Sequence, residues 1–361
     1  MKQVVYKVDS KGKARFLKVS TEGADLIQES GLLDGKSVTH RSTSKGKNIG
    51  RANETTPESQ AEFDAQSKLN KKLKGEYFPI NEDLSKLKLA EKIAYIIEEA
   101  KNNIVILPML AKTYKNGDIY PCYCQPKLDG QRNFGKNDIM TSRENSPITT
   151  LPHIQNSLKT LPDGQIIDGE VYAHGLSFQE NMKLIGKLRP ESINVKYHVY
   201  DLVSDDPFEI RYTKLKILIR GMDHVELVPT YRIENEEQLK EYHAKFLSEG
   251  YEGTIVRWGN EGYENNKRSK YLLKYKDFID IACEVIDVIP SEKRPEHGVV
   301  VVRLDNGIEC KCGMKFSHKE REEILINRDE YIGQTAEVRF FEYSDTGVPR
   351  FPVCVGFRLD K

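Results

Sequence analysis

The octapeptide Gln125-Pro126-Lys127-Leu128-Asp129-Gly130-Gln131-Arg132 directly follows a short apolar stretch, Tyr120 to Cys124, that is typical of a strand. A lysine at such a strand end is either a solvated loop charge or a nucleophile whose amine is kept neutral by burial and cationic neighbours. The pair Asp129-Gly130 could form the turn that presents Lys127, and Arg132 could reach a ribose or phosphate oxygen. On the octapeptide alone both interpretations remain open.

The composition of the whole chain limits what surrounds this stretch. Its 361 residues, 38% apolar and 30% charged, exceed what one core usually holds, so two or three domains are expected. The sequence has neither the roughly 20-residue apolar run of a membrane span nor a signal peptide, which predicts a cytoplasmic protein of a bacterial or phage-infected cell and no membrane partner. The 55 basic residues balance 55 acidic ones, so any nucleic-acid surface must be local.

Hydrophobic periodicity divides the chain into three regions. Residues 1–80 predict a small α+β module of strands followed by a helix, with Thr56-Pro57 at its start and Phe63, Leu69 and Leu73 along one side. Residues 81–277 predict mixed, largely antiparallel sheets with intervening helices. Residues 278–361 combine five short strands with one helix, which favours an OB-fold β-barrel. The predicted fold class is therefore α+β and multidomain.

Further short signatures follow the octapeptide, and each combines charged residues with a strand. In chain order they are Ser142-Arg143-Glu144-Asn145, Asp168-Gly169-Glu170, Tyr197-His198-Val199-Tyr200-Asp201, Glu252-Gly253-Thr254-Ile255-Val256-Arg257, Leu273-Lys274-Tyr275-Lys276 and Arg358-Leu359-Asp360-Lys361. The ordered series, which lies within residues 104–361, resembles the covalent nucleotidyltransferase superfamily and most closely the small ATP-dependent DNA ligases of phage and viral type. Each signature is weak singly, but seven in order are specific.

The resemblance implies that residues 81–277 form an adenylation domain and that the chain is a DNA ligase. Lys127 would attack the α-phosphorus of ATP to give lysyl-AMP, and AMP would pass to the 5′-phosphate of a nick before the 3′-hydroxyl displaces it. Lys274 and Lys276, two positions apart on a strand, would stabilise the developing phosphoryl charge and lower the pKa of Lys127. The implied partner is nicked duplex DNA, bound by a monomer in DNA replication, repair and recombination.

The resemblance also implies which residues surround the nucleotide. Glu170 and Glu252 are expected to contact ribose and to hold Mg²⁺ or Mn²⁺, because a hard cation prefers carboxylate and phosphate oxygens. Tyr200 is expected to stack on adenine. Gln125 stands where relatives often have an acidic residue, and its carbonyl could accept a hydrogen bond from the exocyclic amine of adenine.

Basic residues are expected at the phosphates. Arg132 would reach a ribose or phosphate oxygen, and Arg143 would touch a phosphate of ATP or of the nick. Arg358, Asp360 and Lys361 belong to the barrel, and in the family this terminal motif swings over ATP to orient the pyrophosphate and then away when DNA is clamped.

The first 80 residues carry fifteen basic and ten acidic residues, although the whole chain is neutral. No acid occurs between Lys36 and Arg51, and Asn48-Ile49-Gly50-Arg51 faintly resembles the WGR modules that bind DNA ends, without their tryptophan. A DNA-positioning role is therefore predicted for this module. The candidate contacts are Lys36, Arg41, Lys45, Lys47 and Arg51.

Three alternatives share parts of the pattern. A GTP-dependent mRNA capping guanylyltransferase shares the lysine motif and the terminal motif, although its chain usually continues further. An RNA ligase shares the catalytic domain but usually lacks the barrel. A non-catalytic nucleic-acid-binding protein would have no use for a neutral lysine beside two cations.

Overall fold

The computed structural model of the chain describes residues 2–103, 105–115 and 117–358. The N-terminal region is an antiparallel sheet in the order β4-β3-β2-β1-β5, covered by two helices. Its elements are β1 (Lys2–Val8), β2 (Ala14–Glu22), β3 (Asp25–Leu32), β4 (Ser37–Thr43), α1 (Pro57–Leu73), β5 (Phe78–Pro79) and α2 (Leu89–Asn102). The predicted α+β character is thus confirmed, but the sheet is also covered by α2, beyond the predicted end at residue 80, because Ile96 shares a core cluster with Ala14 and Phe78.

Helix α1 begins where the sequence predicts. The Thr56 side chain accepts a hydrogen bond from the backbone N–H of Ser59, and Pro57 occupies the first turn. The predicted apolar side is partly wrong, because Ala61, Ala65 and Leu69 are buried whereas Phe63 is 63% exposed. Small side chains at the buried positions let the helix approach the sheet closely.

The middle of the chain contains two five-stranded sheets, ordered β12-β11-β10-β8-β9 and β13-β7-β14-β15-β6. Only the β11–β12 and β15–β6 pairs are parallel among the described strands of these sheets, so the predicted mixed, largely antiparallel arrangement is confirmed. The strands are β6 (Leu110–Thr113), β7 (Cys122–Lys127), β8 (Gln131–Lys136), β9 (Ile139–Ser142), β10 (Ile167–Tyr172), β11 (Lys196–Leu202), β12 (Val225–Leu227), β13 (Tyr231–Ile233), β14 (Gly253–Arg257) and β15 (Arg268–Tyr275). The helices are α3 (Pro152–Leu158), α4 (Phe178–Gly186), α5 (Phe208–Leu218) and α6 (Glu236–Ser248).

The C-terminal region is a closed five-stranded barrel in the order β16-β17-β18-β20-β19, as predicted. It comprises β16 (Ile279–Pro290), β17 (Gly298–Arg303), β18 (Glu309–Met314), α7 (His318–Ile326), β19 (Thr335–Phe340) and β20 (Val353–Arg358). Strand β18 alternates strictly, so Cys310, Cys312 and Met314 point into the barrel core. Three short 3₁₀ turns complete the elements of the described residues, at Leu84–Lys86, Pro190–Asn194 and Arg328–Glu330. Within the described ranges, no helix combines the length and the apolar character that crossing a membrane requires.

Candidate active site

Lys127 is the last residue of β7, and the neighbouring strand β14 starts opposite it. Gly253 pairs with Lys127 in the antiparallel register, and the N–H of Glu252 donates to the carbonyl of Lys127 at 3.0 Å. Gly253 has φ +147°, and a Cβ there would lie 2.5 Å from the carbonyl oxygen of Tyr275 on β15. Glycine therefore lets the strands bring Glu252 beside Lys127.

The amine of Lys127 lies in a largely buried position. Its Nζ forms an ion pair with the Glu252 carboxylate. Burial lowers the pKa of Lys127, and the positive charges of Arg132 and Arg350 act in the same direction, although the carboxylates of Glu170 and Asp129 oppose it. A lowered pKa enlarges the neutral fraction of the amine, which is its nucleophilic form.

The two lysines of the Lys-x-Lys signature have different surroundings. Lys276 forms an ion pair with the other Glu252 oxygen and lies 4.1 Å from the centre of the Phe341 ring. Burial, followed by the charge of Lys127, lowers the pKa of Lys276 to about 7. Lys274 forms no ion pair with any described residue, and burial together with the charge of Lys127 also lowers its pKa. Of these two lysines, Lys274 is therefore the one left free for a ligand.

A cavity of about 610 Å³ opens between the two central sheets, a size within the usual range of small-molecule sites. Lys276 and Arg358 are not among the residues that line it. Asp360 and Lys361 lie outside the described residues. The predicted site residues that do line the cavity are Gln125, Lys127, Arg132, Arg143, Glu170, Tyr200, Glu252 and Lys274.

Glu170 is held against the loop that follows Lys127. Its Oε1 accepts a hydrogen bond from the N–H of Gly130 at 2.9 Å. A Cβ at Gly130 would lie 2.4 Å from the carbonyl oxygen of Val171, so the close approach of loop and strand β10 requires glycine. Burial raises the pKa of Glu170, whereas Lys127 and the Gly130 hydrogen bond lower it.

Arg132 was predicted to contact a ribose or phosphate oxygen, but most of its hydrogen bonds are made to other residues of the protein. Its Nε donates to Asp168 at 3.0 Å, its Nη1 donates to the carbonyl of Met109 at 2.9 Å, and its Nη2 contacts both Asp168 and the hydroxyl of Tyr263. One Nη1 proton has no partner among the described residues. Arg132 can thus offer a ligand one hydrogen bond, and its main contact is with buried Asp168.

Gln125 ends a chain of buried polar contacts. Its Nε2 donates to the carbonyl of Tyr200 at 3.2 Å and to Thr230 Oγ1 at 2.9 Å, while its Oε1 accepts from Nε of Arg257 at 2.8 Å. Arg257 in turn forms an ion pair with Asp201. The amide is therefore fixed with one lone pair of Oε1 left for a ligand.

The remaining members of this chain of contacts were missed as functional residues. Arg211 binds Asp201 from the side opposite Arg257, with Nε to Oδ1 at 2.7 Å, and all three side chains are almost wholly buried. The guanidinium carbons of Arg132 and Arg257 lie 5.8 and 5.7 Å from the centre of the Tyr200 ring. Asp201 and Arg257 end two of the sequence signatures, which is the only signal that could have indicated them.

Arg143 lies on the rim of the cavity, in the turn between β9 and α3. It is exposed, and its side chain has no hydrogen-bond or ion-pair partner within the part of the chain described. The turn is closed by the N–H of Ser142 bonding to the carbonyl of Ser146 at 2.8 Å. Arg143 is therefore available to an anionic group that enters the cavity.

The barrel reaches the cavity through Arg350, which the sequence signatures do not include. Its Nη1 donates to Asp129 Oδ2 at 2.7 Å and also contacts Glu342, and its guanidinium carbon lies 4.4 Å from the centre of the Phe178 ring. Arg358 instead pairs with Glu337 at 3.1 Å on the barrel surface. The side of the barrel that meets the cavity thus carries Arg350 and not Arg358.

The contact between Arg350 and Asp129 gives a first testable prediction. Asp129→Asn and Arg350→Gln should each loosen the barrel from the Lys127 loop, and the double variant should add little to either. A hydrogen bond between charged groups contributes about 1.5–3 kcal/mol. The interaction between the two side chains, obtained from the double-mutant cycle, should therefore correspond to a factor of about ten to a hundred in the population of molecules whose barrel has detached from the Lys127 loop. Tryptic cleavage within residues 276–279, followed by mass spectrometry, measures that population.

The matched control is the exposed pair Arg303 and Glu284 on the barrel, with both side chains about half exposed, at 51% and 52%. Its double-mutant cycle should show coupling below about 1 kcal/mol. Equal coupling in the two cycles would contradict a role of Arg350 in holding the barrel.

The predicted DNA contacts of the N-terminal region are all exposed and none lines the cavity. Arg41 is ion-paired with Glu22 at 2.6 Å and Asp25 at 3.0 Å, and Lys47 lies 3.9 Å from Asp64. Three of the candidates have no ion-pair partner among the described residues. These are Lys36, Lys45 and Arg51.

Two family models match the chain. Residues 108–276 match the ATP dependent DNA ligase domain, and residues 295–358 match the DNA ligase OB-like domain. The first range contains most of the residues that line the cavity, and the second contains most of the barrel together with Arg350.

Curated relatives and solved structures agree with these matches. DNA ligases of enterobacteria phages T6 and T4 are each 25% identical over 304 residues, and the match covers 63% of this chain and 62% of theirs, so the chain spans less than two thirds of these relatives. A DNA ligase of African swine fever virus is 26% identical over 355 residues, covering 87% of this chain and 78% of its own. A solved Lig E DNA ligase, 24% identical, matches 71% of this chain and 100% of its own with a TM-score of 0.61.

Proposed function

Since the chain belongs to the ATP-dependent DNA ligase family, we propose that it seals nicks between a 3′-hydroxyl and a 5′-phosphate in duplex DNA at the expense of ATP. The observation that carries this proposal is the position of Lys127. Its amine is largely buried and is paired with Glu252 in a nucleotide-sized cavity, with the unpaired cation Lys274 on the same wall.

In the first step the neutral amine of Lys127 attacks the α-phosphorus of ATP. An N–P bond forms, the bond to the pyrophosphate oxygen breaks, and one amine proton leaves. The nearest acceptor for this proton is the carboxylate of Glu252. Lys274 offsets the negative charge that develops on the phosphoryl oxygens.

In the second and third steps, AMP is transferred to the 5′ end of the DNA and then released. An oxygen of the 5′-phosphate attacks the phosphorus of lysyl-AMP, the N–P bond breaks, and Lys127 leaves as the amine with the proton that Glu252 accepted in the first step. The 3′-hydroxyl then attacks the 5′-phosphorus and gives up its proton to solvent, a phosphodiester forms, and AMP leaves. Arg143, exposed on the rim, is placed to bind the phosphate of the nick.

Glu170 and Glu252, which both line the cavity, are the residues that would hold a magnesium ion shared with the substrate phosphates. No cluster of three or more acidic, histidine or cysteine side chains in the described residues can hold a metal alone. Mg²⁺, however, usually takes one or two carboxylates together with phosphate oxygens and waters. When bound, the ion would neutralise phosphate charge, and Mn²⁺ offers the same chemistry.

The adenine end of the cavity is assigned to Gln125 and Tyr200. The lone pair that Arg257 leaves on Gln125 Oε1 would accept the hydrogen bond of the exocyclic amine. The ring of Tyr200 would stack on the base. Arg132 would supply its remaining Nη1 proton to a ribose or phosphate oxygen.

The rest of the assignment concerns the arrangement of the chain. We assign the N-terminal region up to α2 to a DNA-positioning module, the two central sheets up to residue 277 to the adenylation domain and residues 278–361 to the OB-fold domain of a monomer. The motif of Arg358, Asp360 and Lys361 would act on pyrophosphate only after the barrel turns, because Arg358 lies away from the cavity here.

Incubation with α-labelled ATP or GTP, followed by denaturing electrophoresis and a nick-sealing assay, tests the proposal. Label from ATP on the protein together with sealing of a DNA nick is the expected result. Label from GTP alone would indicate a capping guanylyltransferase, and sealing restricted to RNA would indicate an RNA ligase. Absence of label from both nucleotides would leave only a binding function.

A further inference from the structure

The second half of helix α1 carries an unneutralised lysine cluster, which consists of Lys68, Lys71, Lys72 and Lys74. All four side chains are exposed, and none forms an ion pair with a described residue. No acidic residue occurs between Ala65 and Gly75. Asp64 and Glu76, which flank this stretch, interact electrostatically with Lys68 and Lys72, but each of them has a hydrogen-bonding or ion-pair partner elsewhere. The surface therefore keeps a net positive charge for a partner.

The position of the cluster ties it to the catalytic cavity. Lys74 Nζ donates to Ser146 Oγ at 2.8 Å, and Ser146 closes the turn that carries Arg143 on the cavity rim. A second contact, from Asn266 Nδ2 to Glu76 Oε1 at 3.4 Å, also joins the N-terminal region to the central sheets. The lysine cluster thus continues the positive rim that begins at Arg143.

The surface predicted from the sequence is less suited to bind a polyanion. Arg41 is neutralised by two carboxylates of the neighbouring strands, and Lys47 lies within reach of Asp64. A cation that is already paired gains less from binding phosphate than an unpaired cation does. Three unpaired cations remain there, Lys36, Lys45 and Arg51, but no described contact joins them to the cavity rim as the Lys74 contact joins α1. The charge on α1 is therefore the better candidate for nucleic-acid binding.

Stabilisation of the helix is the competing explanation for lysines at this end. Basic residues in the last turn of a helix interact favourably with its dipole, and Lys71 and Lys72 lie in that turn. The dipole effect decays within one turn, so it does not account for Lys68. Lys68 shares a helix face with Lys71 and Lys72 because they are three and four residues apart.

We infer that Lys68, Lys71 and Lys72 bind backbone phosphates of duplex DNA that extends from the nick past Arg143. This inference rests on the proposed function for the identity of the polyanion. The contacts are with phosphates alone, so binding at this surface does not depend on base sequence. Lys74 holds the cluster against the Ser146 turn.

The test uses the full chain with Lys68→Gln, Lys71→Gln and Lys72→Gln combined, while Lys74 is kept. Affinity for a nicked duplex is measured at several salt concentrations. Each lost phosphate contact should flatten the logarithmic salt dependence by about 0.9, so a decrease of up to about 2.7 is expected. Lysine-to-arginine changes at the same three positions should restore the slope, and a thermal unfolding midpoint equal to that of the unaltered chain shows that the helix is intact.

Two comparison variants make the test selective. Lys2→Gln, Lys11→Gln and Lys13→Gln remove the same charge from exposed residues of the β1–β2 hairpin that have no ion pair among the described contacts, and they should leave the slope unchanged. Replacing Lys36, Lys45 and Arg51 by Gln tests the surface predicted from the sequence. An unchanged slope in the α1 variant, or a larger decrease in the Lys36 variant, would overturn the inference.

The inference and the proposed function fail in different ways. Lysyl-AMP formation by the unaltered chain, measured in parallel, depends on Lys127 and not on α1. If AMP transfer is absent but the α1 variant flattens the salt dependence, the lysine cluster binds DNA and the ligase assignment is wrong. If AMP transfer is normal and the slope is unchanged, the cluster is a solvated face.

Discussion

The variant Lys127→Ala is expected to form no lysyl-AMP above background. Of the two described lysines that line the cavity, Lys127 pairs with Glu252 and is influenced by the charge of Glu170, whereas Lys274 has no carboxylate partner among the described residues. Loss of a covalent nucleophile commonly lowers the rate by about a million-fold, so adenylylation and the sealing of ordinary nicks should both disappear. Labelled ATP, denaturing electrophoresis and peptide mapping provide the measurement.

Two controls separate chemistry from folding in this experiment. Sealing of a nick that already carries AMP should partly survive in the Lys127→Ala variant, because that step needs no new lysyl-AMP. Lys270→Ala removes an exposed lysine that does not line the cavity, and it should adenylylate normally. Covalent AMP at normal yield on Lys127→Ala would contradict the assignment of the nucleophile.

The local part of the site could be predicted from the sequence because its members are adjacent in short signatures. Lys127 and Gly130 belong to one turn, and Glu252 with Gly253 to another, so motif order alone indicates that they act together. The strand register then brings Gly253 opposite Lys127. Composition and hydrophobic periodicity were likewise enough to predict that an α+β module is followed by mixed sheets and then by a barrel.

The contacts that could not be predicted join residues far apart in sequence. Arg350 meets Asp129 across 221 positions, and this contact depends on how the barrel lies against the central sheets. The pairing of Arg41 with Glu22 and Asp25 depends on the register of three antiparallel strands. Neither placement has a local sequence signal.

The wrong prediction for Phe63 has a similar origin. A helical pattern shows that α1 has an apolar side, but not how closely that side lies against a sheet. Ala61 and Ala65 are wholly buried, and Ala65 packs with Val5, Val19 and Leu26 of the sheet, which leaves Phe63 on the outer face. Alanine at these positions lets the helix backbone approach the sheet closely. The hydrophobicity of a residue alone does not indicate how closely it can pack.

The second large effect is expected for Lys274, a lysine of the cavity that has no ion-pair partner among the described residues. Lys276 is already paired with Glu252, so of the two lysines of the Lys-x-Lys signature only Lys274 can give its whole charge to a phosphoryl group. Removal of one group that stabilises transition-state charge costs about 100- to 1,000-fold in rate, or about 2.7–4 kcal/mol. Lys274→Ala should therefore slow lysyl-AMP formation by that factor at saturating ATP, in single-turnover measurements.

The pattern of the loss decides how Lys274 acts. If its charge is used mainly in the transition state, the rate constant falls while the affinity for ATP changes little, because interactions equal in both states alter only binding. Lys274→Arg keeps the charge and should recover part of the rate, whereas Lys270→Ala, on the same strand but outside the cavity lining, should match the unaltered chain. A weaker affinity for ATP with an unchanged rate constant would mean that Lys274 only holds the bound nucleotide. The charge that develops at the α-phosphorus would then have to be stabilised by the metal and by Arg143.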